Sequence, residues 1–241
     1  MRRACPIAAL LVLLASGGES CSRVPAQPES EAVQPDQVTD FAVLYKQNCS
    51  ACHGADGWGG PAYPLADPVY QAVVDDATLR KVTAEGIPHS LMPAFAGSAG
   101  GMLSDRQIDA IVQGMRQQWA KPDALAGAAR PPYAATASGD AQRGGQVYST
   151  FCASCHGPEG KGGAKAGAIV DGSYLGLVSD QELRTGVICG RPDLNAPDWR
   201  NDVPGRALTE QEISDVVAWL ISQRPQFPGQ PYSGPTAGGS P

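Results

Sequence analysis

The chain has 241 residues, a formal net charge of −6, 17% charged residues and 6% aromatic residues. That length allows one large domain or two small ones. No cluster of Lys or Arg occurs, so the concentrated positive charge that a phosphate backbone requires is missing and nucleic acid is excluded as a partner. The 29 Gly and 21 Pro indicate loop-rich globular structure rather than a coiled coil.

In chain order, residues 1–21 read as an export signal. Arg2 and Arg3 precede an apolar run from Ala4 to Ala15. The run is shorter than the ~20 residues that span a bilayer. Cys21 follows it and is a candidate for lipid modification, which would tether the chain to a membrane. Against that, Gly18-Glu19-Ser20 lacks the aliphatic residue usual before such a cysteine. Residues 22–37 are polar and rich in Pro, Gln and Glu, and read as a disordered tether. Residues 38–121 and 139–226 form two segments, joined by an Ala/Pro-rich stretch, 122–138, with the composition of a flexible linker. A Gly/Pro-rich tail, 227–241, reads as disordered.

The two segments repeat each other. YKQNCSACHGADGWGG from Tyr45 answers YSTFCASCHGPEGKGG from Tyr148. LRKVTAEGIPHSLMPAF from Leu79 answers LRTGVICGRPDLNAPDW from Leu183, without a gap. That register pairs Gly86 with Gly190, Pro93 with Pro197 and Phe95 with Trp199. A helix carrying Phe41, Leu44 and Tyr45 should run into the first motif, and one carrying Val147, Tyr148 and Phe151 into the second. Each segment should close with an amphipathic helix. Ser104 and Gln107 form one capping box, ahead of Ile108, Ile111, Val112, Met115 and Trp119. Thr209 and Glu212 form the other, ahead of Ile213, Val216, Val217, Leu220 and Ile221. No strand pattern lies between.

Five of the seven cysteines fall outside the signal once Cys5 and Cys21 are set aside. Four of them belong to two C-x-x-C-H motifs, Cys49/Cys52/His53 and Cys152/Cys155/His156. Thiols three positions apart lie about one helical turn apart, so both can form thioethers with the vinyl groups of one porphyrin. The adjacent His then ligates the iron. The pattern is that of c-type haem attachment. Zinc would want the two pairs close together. A redox dithiol needs no His directly after it and usually sits in a βαβ context.

On these motifs, the closing helices and Met-Pro-Ala-Phe at Met92, the sequence resembles the class I cytochrome c family twice over. The resemblance implies an all-α fold of two small helical domains, two covalently bound haem c groups and outer-sphere electron transfer. It also implies that a Met downstream of the His supplies the second axial ligand of the iron. Met92, in a loop stiffened by Pro93, is that ligand in the first half. Met102 lies in a Gly-rich loop, Met115 lies on the closing stripe, and His89 is a rival ligand. In the second half, Ala196 stands where Met92 stands in the first, and no Met follows His156. Cys189 is left over. It is a candidate sixth ligand of the second haem, a buried small apolar residue, or a reactive or intermolecular thiol. Arg184 and Arg191 read as surface arginines.

A ligating His usually donates its free ring N–H to an acceptor. A carbonyl near Pro61 or Pro64 suits His53. The second half has no matching Pro, and no acceptor for His156 is legible. The sequence therefore predicts an electron carrier rather than an enzyme, acting in the periplasm or otherwise outside the cytoplasm. Its partners would be redox proteins: a quinol-oxidising complex, a periplasmic dehydrogenase, an oxidase or another cytochrome. The alternative makes the second haem an open site, peroxidase-like, ligand-sensing or sulfur-anion oxidising, and fed by the first.

Overall fold

The computed structural model describes residues 33–88, 90–200 and 205–225. The expectations for the export signal, Cys5, Cys21, most of the tether, His89 and the tail lie outside the described residues. Within them every regular element is helical, and strand pairing is limited to two isolated bridges, Ala96 with Leu103 and Arg191 with Ala196. The all-α expectation holds.

Each half begins with a helix that delivers the motif. In the first, α1 (Phe41–Asn48) starts where the Asp40 carboxylate accepts from Val43 N, and stops at Cys49. A single turn, α2 (Ser50–His53), carries the rest of the motif. Asp67 caps α3 (Pro68–Val73), and Asp75 caps α4 (Asp76–Glu85). The closing helix α5 (Asp105–Trp119) opens with the Ser104–Gln107 capping box. The second half repeats the plan with α6 (Ala141–Phe151), α7 (Ala153–His156), α8 (Gly172–Leu177), α9 (Asp180–Cys189) and α10 (Glu210–Ser222). Side-chain oxygens of Asp140, Asp171, Ser179 and Thr209 cap α6, α8, α9 and α10, satisfying amide protons at each helix start. The Ser179–Glu182 capping box was not picked out from the sequence.

The opening helix packs across the closing helix in both halves, α1 on α5 and α6 on α10. The buried faces are the apolar stripes: Ile108, Ile111, Val112 and Met115 on α5, and Ile213, Val216, Val217 and Leu220 on α10. Both crossings rely on a glycine, contributed by opposite partners. A Cβ on Gly114 of α5 would lie 2.1 Å from Phe41 Cγ. On Gly144 of α6 it would lie 2.0 Å from Asp215 O. Phe41 is a side chain that can turn away; the Asp215 carbonyl is helix backbone and cannot. Arg116 then ties α5 to the α3–α4 corner, donating to the Gln71 and Val74 carbonyls, to Gln71 Oε1 and to Asp76.

Two segments with disorder-like composition carry specific hydrogen bonds. At the end of the tether, Pro35–Gln37 form a 3-10 turn. The buried Gln107 amide donates to Pro35 O at 2.9 Å and Val38 O at 3.0 Å. In the linker, Arg184 donates to Pro132 O and Tyr133 O, Gln181 donates to Tyr133 O, and Arg200 donates to Ala124 O. Linker residue Arg130 reaches back to Ala72 O of the first half. Arg184 is thus no surface residue. It is 2% exposed, and its remaining bonds go to Ser214 and Glu210. From Gln34 on, the described residues form one unit in which α3 packs against α9. Val69, Tyr70 and Val73 share a core with Ile188 and Cys189.

Candidate functional site

The helix break at each motif sets the spacing of its groups. Cys49 and Cys152 directly follow the opening helices, with matching backbone angles (φ −118° at both), and the following turn brings Cys52 with His53 and Cys155 with His156. Cys49 is buried, Cys52 is exposed, and Cys152 and Cys155 are half-buried; none is in a disulfide. Burial, followed by the neighbouring motif thiol, pushes Cys49 up to about 12 and Cys152 up to about 11. Both thiols are therefore protonated at neutral pH.

The histidines have the same second contact. His53 Nδ1 lies 2.6 Å from Tyr63 O, and His156 Nδ1 lies 2.8 Å from Gly167 O. A carbonyl only accepts, so Nδ1 carries a proton, and in the neutral ring Nε2 is the nitrogen with the lone pair. That fixes the tautomer an iron ligand needs. Burial lowers the His53 pKa and favours the neutral ring; the bond to Tyr63 O opposes this only in part. The acceptor for His53 directly precedes Pro64, in the region the sequence singled out. Gly167 is followed by Ala168 and gives no such signal.

Two tyrosines, also unread as functional, brace these turns. Tyr45 and Tyr148 each stand four residues before the first motif Cys. Their hydroxyls donate to the carbonyls of Gly54 and Gly157, directly after the histidines. Their rings meet the last turns of the closing helices, Tyr45 against Trp119 at 5.1 Å and Tyr148 against Trp219 at 4.2 Å.

The downstream loops follow the gapless register. Ile87 N donates to Met92 O at 3.0 Å, and Arg191 N donates to Ala196 O at 3.1 Å. Gly86 and Gly190 precede these loops at φ 71° and 69°, and a Cβ on either would strike the far side of its loop, Met92 O or Ala196 O. Ala196 therefore holds the backbone position of Met92. Met92 is half-buried, Met102 is 91% exposed and Met115 is 2% exposed in the α5 core.

Cys189 ends α9, 1% exposed. Its thiol is in side-chain contact with Tyr63 and near Asp67, Tyr70 and Tyr133. Tyr63, Asp67 and Tyr70 belong to the first half. Burial raises the thiol well above its ordinary range, so it is a neutral S–H.

Each half thus presents two thiols outside any disulfide, one turn apart, and an imidazole oriented by a backbone carbonyl. This donor set fits a covalently attached haem. Among the described residues, no group of three or more His, Cys, Asp or Glu side chains could hold a bare metal ion.

Comparison with known families agrees. Residues 141–224 match the family described as "Cytochrome c", and residues 36–113 match "Cytochrome C oxidase, cbb3-type, subunit III". The chain is a c-type cytochrome with two cytochrome c domains. As such it is a haem-binding protein of electron transport. Among curated proteins it is similar to the cbb3-type cytochrome c oxidase subunit FixPc of Rhizobium leguminosarum bv. viciae, 32% identical over 60% of this chain and 48% of that protein. It is also similar to the cytochrome bc1 complex cytochrome c subunit of Mycobacterium tuberculosis, 27% identical over 91% of this chain and 76% of that one. The chain therefore spans about half the length of the first of these relatives. Among solved structures, a chain of the Kuenenia stuttgartiensis reducing HAO-like protein complex aligns over 79% of this chain and 99% of its own, at 17% identity and a TM-score of 0.46. Among the described residues, no helix is long and apolar enough to cross a membrane.

Proposed function

We propose that this cytochrome carries two covalently bound haems, one per half, and passes electrons between redox proteins outside the cytoplasm. The observation that carries the count is the duplicated histidine geometry, with Nδ1 of His53 and of His156 each held by a backbone carbonyl behind an intact thiol pair. Cys49 and Cys52 would hold the first haem and Cys152 and Cys155 the second, with His53 and His156 as iron ligands. The bound group supplies one-electron chemistry, its iron alternating between ferric and ferrous states. The chain's own residues orient the ligands, bury the site and offer docking surface. Leu91 and Leu194, exposed on the two downstream loops, suit contact with another redox protein.

The partner classes are a quinol-oxidising complex, a periplasmic dehydrogenase, an oxidase or another cytochrome. Relatives named as bc1 and cbb3 subunits support respiratory partners. Residues 1–21 support export, and Cys21 is the candidate lipid anchor. Met92 would cap the first iron. A second reading rests on one observation: the register puts Ala196 at the position of Met92. A methyl group cannot coordinate, so the second iron would be open or weakly capped, and able to bind small ligands.

The count is tested by weighing the exported protein after acid denaturation. Two haem masses on one chain are expected. One haem or none would defeat the reading.

A further inference from the structure

Tyr63 is engaged at both ends. Its backbone carbonyl accepts from His53 Nδ1 at 2.6 Å, and its hydroxyl donates to Asp67 Oδ2 at 2.7 Å. Asp67 is itself fixed, since its carboxylate caps α3 by accepting from Val69 N and Tyr70 N and is 2% exposed. The same hydroxyl is in side-chain contact with Cys189. The phenol proton goes to Asp67 Oδ2, and Tyr63 packs against the core that contains Cys189. The Tyr63 ring packs against Tyr70 at 5.1 Å between centroids, and Tyr70 joins the core shared with Cys189. A residue of the second half therefore holds the side chain whose own backbone holds the first half's histidine.

We infer that Tyr63 is a positioning residue through which the second half sets the iron site of the first, its carbonyl fixing His53 while its phenol is clamped by Asp67 and Cys189. This rests on the reading that His53 ligates a haem. The mechanism is electrostatic. A carbonyl that accepts strongly from Nδ1–H makes the imidazole more basic, which stabilises the ferric state and lowers the potential. If the phenol clamp is lost, the loop carrying the carbonyl gains freedom, the bond weakens on average and the potential rises.

This also gives Cys189 a role that needs no metal. Its thiol is spent inside the protein, between the halves, on the first half's Tyr63. The chain separation is long, yet α9 ends in direct packing range of α3.

The test is a redox titration of the haem-loaded protein in four forms: wild type, Tyr63→Phe, Cys189→Ala and Cys189→Ser. Haem mass is measured for each before titration, and the first centre is assigned with Met92→Ala. Tyr63→Phe keeps the ring and the backbone carbonyl and removes only the hydroxyl. Both Tyr63→Phe and Cys189→Ala should raise the midpoint potential of the first centre and leave the second in place. They should also move the hyperfine-shifted haem methyl resonances of the first centre. Cys189→Ser restores a polar side chain of similar size beside Tyr63 and should return the first centre toward wild type. An unchanged or lowered first potential in Tyr63→Phe overturns the proposal. So does a Cys189→Ala shift confined to the second centre, which would instead support Cys189 as a ligand there. If wild-type protein lacks haem at the first motif, the functional reading fails, and that shows in the mass before any titration.

Discussion

At the scale of single residues, the two halves hold His53 and His156 alike and differ on the downstream loop, where Ala196 takes the position of Met92. The proximal contacts of His53 and His156 differ by only 0.2 Å, read from 2.6 and 2.8 Å. A difference between the centres should therefore come from Met92 against Ala196. A thioether ligand stabilises the ferrous state and raises the potential. Met92→Ala should lower the first potential by on the order of 0.1 V, within the roughly 0.8 V range that axial ligands command. It should also remove the weak Met-to-iron charge-transfer band. Ala196→Met should do the reverse in the second half, raising its potential and blocking carbon monoxide binding. If the unmodified protein already has two centres of equal potential, both inert to carbon monoxide, the asymmetry assigned to these residues is wrong. The motif residues were legible because their chemistry is carried by adjacent positions. The acceptor of His156 was not, because Gly167 contributes only a backbone carbonyl, and any residue type has one.

At the scale of elements, the α6–α10 crossing carries a charge that the sequence does not advertise. Asp215 sits on α10 and is 3% exposed. It accepts from Arg143 Nε at 2.8 Å, Arg143 Nη2 at 2.9 Å, Asp140 N at 2.7 Å and Gln211 Nε2 at 2.9 Å. Arg143, aided by these amide donors, holds the Asp215 carboxyl at about 2. A folded-state value below the unfolded one, about 3.9, means the charged form favours folding. That contribution is complete above the unfolded value and is lost as pH falls through about 2. Asp215→Asn should cost roughly 1.5–3 kcal/mol near neutrality, the range for hydrogen bonds to charged groups. The gap between variant and wild type, followed by urea unfolding, should close as pH falls from 4 toward 2. Taking the difference cancels the other carboxylates. A gap that stays constant over that range would show that Asp215 acts through packing alone. Sequence pattern was enough for the closing helices, where the capping boxes and 3.6-residue stripes are local. It could not reveal Asp215 or Gly144, whose partners lie on another helix. Helices α3, α4, α8 and α9 are 6 to 10 residues long, too short for periodicity to stand out, and their Asp and Ser caps were the available signal.

At the scale of the whole molecule, composition described the connecting stretch while tertiary contacts decide its behaviour. Ala and Pro in residues 122–138 report what that segment would do alone; nothing in it announces the donors that reach it from elsewhere. Arg184 is the main one. Read as a surface arginine, it is instead buried on α9 with its guanidinium donating to Pro132 O at 2.8 Å, Tyr133 O at 2.9 Å, Ser214 Oγ at 3.2 Å and Glu210 at 3.0 Å. Burying an arginine is tolerated because these acceptors satisfy it, and in exchange the linker is fixed against the second half. Gln181 still reaches Tyr133 O without Arg184, but Arg184 is the side chain that holds Pro132 O. Arg184→Leu fills similar volume while removing the donor to Pro132 O and one partner of Glu210, which keeps Thr136, and a hydrogen bond to a charged group contributes about 1.5–3 kcal/mol. The least costly relief is for the linker to leave α9 and take its carbonyls to water. Cleavage of a transiently opened segment follows the population of the open form, so a shift near 1.4 kcal/mol predicts about tenfold faster nicking. Limited digestion with a broad-specificity protease, read by mass, should show that acceleration within residues 122–138, with both halves still helical by circular dichroism. Equal rates in wild type and variant would mean that the linker is held by its other contacts, those of Arg200, Gln181, Arg130 and Thr136 among them; loss of helicity would mean that Arg184 supports the fold of the second half rather than the linker.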